Sequence, residues 1–425
     1  MPKSQYIDPK EMRKAGEITF TPIPVNQYKK SVKDELKSKN FTKEDLKRIY
    51  RDMVVIREFE TMLQLVKTTG GYNGVEYNNP GPAHLSAGQE AAAVGMAYML
   101  NIDDFIFGSH RSHGEILAKG LRAIELLDDQ TLEKIMNEFW DGATVNVAKK
   151  AFKGGSVKDL GIRFLLYGAL AEIFARTTGF NKGLGGSMHT FFTPFGIYPN
   201  NAIVGGSGSI AVGAALYKKV NRKPGIVVAN LGDASMARGP VWEGMTFAAM
   251  DQFKQLWEGD MKGGLPVIIN IMDNQYGMGG QTRGETMGFD FAARIGAGVN
   301  PEQMHAERVD GYNPLAVIDA YRRKKKILEE EKSGPVLIDV LTYRYSGHSP
   351  SDASSYRTKE EIEAWEAQDC IVAFGKELID AGVASQADLD AITKEIKDIM
   401  FDTFKLAIDD ELSPRMDLHK DPELL

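Results

Sequence analysis

Two apolar segments, each emptying into a polar stretch with an oxygen ligand, constrain this chain more than any other feature. Ile226-Val227-Val228-Ala229 runs into Gly232-Asp233, and Val267 to Met272 runs into Asp273-Asn274. Short apolar runs closed by turn residues read as buried strands. In a parallel sheet such ends lie side by side, and ligands collect where the loops spread apart. A carboxylate and an amide oxygen at two such ends suit a magnesium-type cation that also holds a diphosphate. Each half alone is weak and reads more simply as a turn or a loop cap. Together, in order and each after a strand, they point to a cofactor.

Strand-like segments recur at 226–231, 267–272 and 336–342, with helical segments between them. That alternation predicts an α/β fold, a mostly parallel sheet with helices on both faces. Residues 1–40 are polar, with prolines at 2, 9, 22 and 24, and read as an N-terminal arm. Thr42 and Asp45 form a capping-box pattern opening a helix whose buried stripe is Leu46, Ile49, Met53 and Ile56. A second helix is expected from about Gly88 to Leu100.

The α/β domain is expected over 41–355, with a partly helical insertion at about 121–166 and a helical C-terminal segment at 356–425. In that segment Ser385 and Asp388 form another capping box, and Leu389, Ile392, Ile396 and Ile399 make a stripe for core or subunit contact. Lys182 to Gly213 holds eight glycines. Gly183 to Gly186 read as backbone that approaches a ligand, whereas tight helix packing accounts better for Gly213-Ala214-Ala215.

A net charge of −7 without an extended basic run argues against a nucleic-acid surface. The Lys324-Lys325-Lys326 run lies in a helical segment and reads as a solvated face. With one cysteine, Cys370, no intrachain disulfide forms, which fits a reducing cytoplasm. The start lacks the apolar core of a secretory signal, and the run at 91–100 is too short to span a bilayer. A soluble cytoplasmic protein is expected.

Eight ordered motifs carry a family resemblance. They are HLSAGQEAAAVG at 84–95, SHRSHG at 109–114, AKG at 118–120, NKGLGGSMH at 181–189, GDAS at 232–235, DNQYGMG at 273–279, VDGYNP at 309–314 and YRYSGHSPSDASSYRTKEE at 343–361. Over roughly 45–120 and 170–370 the chain resembles the alpha subunit of the thiamine diphosphate-dependent 2-oxo acid dehydrogenase component, a group that includes pyruvate, branched-chain and acetoin dehydrogenases. The resemblance implies thiamine diphosphate with Mg2+ as cofactors. Asp233, Asn274 and the carbonyl of Tyr276 would hold the metal, since hard oxygen ligands are the right type. Arg111, after His110, would donate to the diphosphate through its planar fork. Gly232 and the amides of Ala234 and Ser235 would line the diphosphate, and Val204 the aminopyrimidine face. His348 is the first catalytic candidate. His84 is the second, with a purely structural hydrogen-bonding role as its alternative. His110 and His113 are expected to divide their work, one near phosphate and the other holding its loop.

The chain departs from the family pattern in several places. Ala234 replaces a usual glycine, tolerable only at negative φ. His110 stands where tyrosine is frequent, and Ser207 where many members carry glutamine. Asn274 follows Asp233 by 41 positions, more than is usual, which suggests an extended loop near 251–263. The serines of SGHSPSDASSYRT resemble regulated ones, although a loop ordering over the cofactor and the lipoyl arm is the simpler reading.

In this family a beta subunit supplies the glutamate that activates the cofactor's pyrimidine. The implied protein is therefore one half of an α2β2 component, acting on a 2-oxo acid or acetoin and passing the acyl unit to a lipoyl-bearing acyltransferase. SHRSHG and Gly205-Gly206 lean toward the acetoin branch. A self-contained transketolase-like synthase and a non-catalytic paralogue are the alternatives. The individual substrate is not legible, because its pocket is shared with another chain.

Overall fold

In the computed structural model, which describes residues 6–422, five strands form one parallel sheet. They are β1 (Phe105–Phe107), β2 (Val227–Gly232), β3 (Val267–Asp273), β4 (Glu307–Asp310) and β5 (Val336–Leu341), in spatial order β1-β2-β3-β5-β4. A two-stranded hairpin, Gly71–Tyr72 with Val75–Glu76, lies apart. Two strands of the parallel sheet go beyond those expected. β1 is only three residues long, and β4 (Glu-Arg-Val-Asp) is charged yet buried over its first three residues.

Alternation along the strands builds a core on each face of the sheet, because successive side chains point to opposite sides. Val228, Ile268 and Ile338 join one apolar cluster, with the helices Glu90–Tyr98 and Pro314–Glu329. Val227, Ile269 and Leu337 join the other, with Gly206–Val220 and Gly239–Ala248. Within the sheet Asn230 and Asn270 are register partners, and Asn270 Nδ2 donates to Asn230 Oδ1 at 2.8 Å.

The helix Lys43–Thr69 opens with the expected capping box. Asp45 N–H donates to Thr42 Oγ1, and Thr42 N–H to Asp45 Oδ2. It stops at Gly70, whose φ of +75° takes the left-handed region that ends helices. Ser385 and Asp388 cap Gln386–Ile408 in the same way. That helix turns Leu389, Ile396 and Ile399 into the main core, so its stripe is used inside the chain. Between 121 and 166 the helices Asp129–Glu138 and Ala143–Ala148 bury Leu132, Met136 and Val145 in the same cluster.

The lysine run is not a solvated face. Lys324 and Lys325 are buried; Lys324 Nζ donates to the His305 carbonyl at 2.6 Å and Lys325 Nζ pairs with Asp104 at 2.6 Å. Charge matching across the core overrides what the local sequence suggests. No helix among the described residues is long and apolar enough to cross a membrane.

Candidate functional site

All five strands run the same way, so their C-terminal ends share one edge, and the loops after β1, β2, β3 and β5 meet there. They enclose a cavity of about 310 Å3 lined by His84, His110, Arg111, Asp233, Asn274 and His348. Val204, Gly232, Ala234, Ser235 and Tyr276 complete the lining expected from sequence. His113 does not line it. Its Nδ1 lies 2.9 Å from Glu60 Oε1 and its Nε2 2.9 Å from Ser187 Oγ, so it holds the loop while His110 faces the cavity.

Asp233 and Asn274 arrive side by side because Gly232 pairs with Met272 across β2 and β3. Asp233 is buried, and Thr282 Oγ1 donates to its Oδ2 at 2.6 Å. Burial, then the charge of nearby Asp273, drives its carboxyl well above the usual range. Asp273 is itself engaged by Arg308 at 2.7 Å, which also pairs with Asp339 at 2.8 Å. Asn274 donates through Nδ2 to Gln89 Oε1 at 3.0 Å, and its Oδ1 accepts from Tyr276 N–H at 3.3 Å. The Tyr276 N–H, which can only donate, thereby fixes which end of the amide is oxygen.

Ala234 meets the condition set for it. It lies in the short 3-10 turn Asp233–Ala237 and is not among the positive-φ residues. That single turn precedes the helix Gly239–Ala248. Val204 is half-exposed on the cavity rim, just before Gly205 at φ +82°.

Two guanidiniums line the same cavity. Arg111 donates to the carbonyls of Leu85 and His348, each at 2.7 Å. Burial, followed by Arg344, lowers its pKa to about 9. Arg344 donates to the Gly277 carbonyl and Tyr356 Oη, both at 2.8 Å, while its buried Nε has no protein partner. His348 Nδ1 sits 3.4 Å from Arg111 and 3.5 Å from Arg344. Its backbone N–H donates to Asp352 Oδ2 at 2.7 Å.

Burial and then the charge of Arg111 hold the imidazoles neutral. His84 is lowered to about 3, His110 to about 2 and His348 to about 4. Glu115, also on the cavity wall, is raised by burial to about 7, and its Oε2 has no protein partner.

Sequence reasoning missed Gln89, Glu115, Thr282 and Arg344 as site residues. Gln89, Glu115 and Arg344 lie inside or beside the quoted motifs, which was the available signal. Thr282 follows the DNQYGMG motif and had none. The glycines Gly183, Gly185 and Gly186 do not line the cavity. Instead Glu172 accepts from the N–H groups of Asn181, Gly183 and Gly185 at 2.7, 2.9 and 2.6 Å. A Cβ at Gly183 would meet the Ala175 carbonyl carbon at 2.7 Å. This loop is glycine-rich to wrap a carboxylate of its own chain.

The family model for the dehydrogenase E1 component matches residues 51–151 and 157–415. The pyruvate dehydrogenase E1 component subunit alpha of Rhizobium meliloti (strain 1021) is 30% identical over 382 residues, covering 90% of each chain. The type II mitochondrial subunit alpha of Ascaris suum is 30% identical over 400 residues, 94% of this chain and 84% of that one. A probable mitochondrial subunit alpha of Caenorhabditis elegans is 29% identical over 386 residues, 90% of this chain and 79% of that one. With the motifs that carry His84, Arg111, Asp233, Asn274 and His348 gathered around one cavity at the strand ends, this chain belongs to the dehydrogenase E1 component family.

Proposed function

We propose that the chain is the alpha subunit of a thiamine diphosphate-dependent 2-oxo acid dehydrogenase, acting on pyruvate or a close relative together with a beta subunit. The observation that carries this reading is Asp233 and Asn274 at adjacent strand ends, lining one cavity together with Arg111 and Arg344. The names of the relatives, pyruvate dehydrogenase subunits alpha, support the substrate class.

The residues fit a diphosphate with its metal. Among the described residues the buried Arg344 Nε lacks a protein partner, and two guanidiniums line the same cavity as the buried Asp233 carboxylate. Such a donor set matches an anion bridged by a hard cation. Asp233, the Asn274 amide oxygen and the Tyr276 carbonyl would hold Mg2+, with Arg111 and Arg344 on the diphosphate. When bound, thiamine diphosphate supplies the nucleophilic carbon and the electron sink for decarboxylation.

The chain's own groups supply orientation and a dry, positively charged setting. Neutral His348 and His84 can donate or hold a proton at the substrate oxygen without first losing a charge. The carbonyl contact from Arg111 keeps the His348 segment seated over the cavity. A carboxylate from the beta subunit completes the site, and a lipoyl-bearing acyltransferase takes the acyl unit. The test is substrate-dependent dye reduction with pyruvate, branched-chain 2-oxo acids and acetoin. The purified chain alone is expected to be inactive, and co-expression with its beta partner should give activity on a 2-oxo acid. Full activity from the chain alone would overturn the two-subunit reading.

A further inference from the structure

Three imidazoles converge on the cavity from three separate loops. His84 precedes the helix Glu90–Tyr98, His110 follows β1 and His348 follows β5. Ring centroids lie 4.7 Å apart for His84 and His110, 4.8 Å for His84 and His348, and 5.5 Å for His110 and His348. One nitrogen from each ring lies within 4.8 Å of the other two. The buried Nδ1 of His84 has no protein partner.

We propose that His84, His110 and His348 form a second metal site, specific for a nitrogen-preferring dication such as Zn2+, whose occupation excludes the organic cofactor. Three imidazoles with an open fourth position are a known zinc environment, with Zn–N distances of about 2.0–2.1 Å. At that length tetrahedral geometry places the nitrogens roughly 3.4 Å apart. The rings must therefore close by somewhat over an ångström, within reach of side-chain rotation on loops. Burial, then the charge of Arg111, favours the neutral, ligating form of each ring.

Charge sets the strength of the site. Arg111 and Arg344 flank His348 and oppose a dication, while Asp233 on the cavity wall and Asp352 at the His348 backbone favour one. An anion in the fourth position, between metal and guanidiniums, satisfies both. Mg2+ does not compete, because it prefers oxygen ligands. His110 is the discriminating ligand, since a phenol at that position removes the third imidazole.

The site is a property of this chain's side chains and can be tested whether or not the cofactor reading holds. The full-length chain is titrated with Zn2+ by calorimetry near neutral pH in excess Mg2+. Co2+ serves as a visible-absorption probe of tetrahedral nitrogen coordination. One equivalent is expected, with the tetrahedral Co2+ spectrum. His110→Tyr and His84→Asn, each checked for an unchanged thermal midpoint, should each weaken Zn2+ by about 100-fold or more, since even partners outside the coordination sphere are worth 10–100-fold. Zn2+ bound equally well by both folded variants overturns the proposal, as does the absence of stoichiometric binding by the parent. In the complex with its beta partner and Mg2+, zinc loading should also abolish the tryptophan-fluorescence change that thiamine diphosphate causes in the zinc-free complex, and a zinc-selective chelator should restore it. Simultaneous binding of both would overturn the exclusion.

Discussion

The guanidinium of Arg111 donates to the backbone carbonyl of His348 at 2.7 Å, tying the loop after β1 to the loop after β5. These residues are separated by 237 positions, and only the parallel sheet brings them together. The same guanidinium reaches Leu85, two residues from Ala87, whose carbonyl accepts from Tyr345 N–H. The walls of the cavity are thus joined by backbone acceptors rather than by carboxylates, and among the described residues Arg111 has no direct ion pair there.

Asp233→Ala should abolish metal-dependent binding of thiamine diphosphate. The buried carboxylate is the charged member of the expected oxygen set. Calorimetry in Mg2+ checks this, and binding equal to the parent's would show that the metal lies elsewhere.

His348→Ala should keep the fold and lower turnover of the reconstituted complex by about 10²–10³-fold, the scale of one positioned polar group. The thermal midpoint and steady-state rates are the measurements. Near-normal turnover with a parent-like midpoint would remove His348 from the reaction.

Much of this site was legible before the fold. The strand ends carrying Asp233 and Asn274 stand out because their apolar runs are continuous. β4 was not legible, since Glu307, Arg308 and Asp310 look solvated. The burial of Glu307 and Arg308 depends on Arg323 at 2.6 Å from Glu307 and on Asp273 and Asp339 around Arg308, partners distant in sequence. β1 is too short to show a period. Gln89 and Arg344 sat in recognised motifs, yet only the three-dimensional contacts separate cavity residues from their neighbours.

Glu115→Gln should change how stability depends on pH. Burial raises the folded-state pKa from the ordinary 4.5 to about 7, so the folded chain holds this proton more tightly than the unfolded one. The associated stability is fully present below pH 4.5 and is lost as pH rises through 7. Denaturant midpoints across that range should therefore fall more steeply with rising pH in the parent than in the variant. Parallel profiles would show that Glu115 is ionised at little cost.

Glu172→Ala should destabilise the chain by about 3 kcal/mol or more, because three backbone donors lose a charged acceptor in a buried setting. Equilibrium denaturation measures it, and a loss below about 1 kcal/mol would mean that water replaces the carboxylate fully.

The amides of Asn181, Gly183 and Gly185 converge as they would around a bound phosphate, but the anion they hold is covalently part of the protein. The turn carries its own permanent counter-ion and is closed to any from solution. In Glu172→Ala the cradle becomes vacant, and an anion-binding concavity of main-chain N–H groups appears where the parent has none. Small carboxylates such as formate or acetate should then recover part of the lost stability in the variant while leaving the parent indifferent, so buffer composition, silent for the native chain, becomes a ligand for the mutant one.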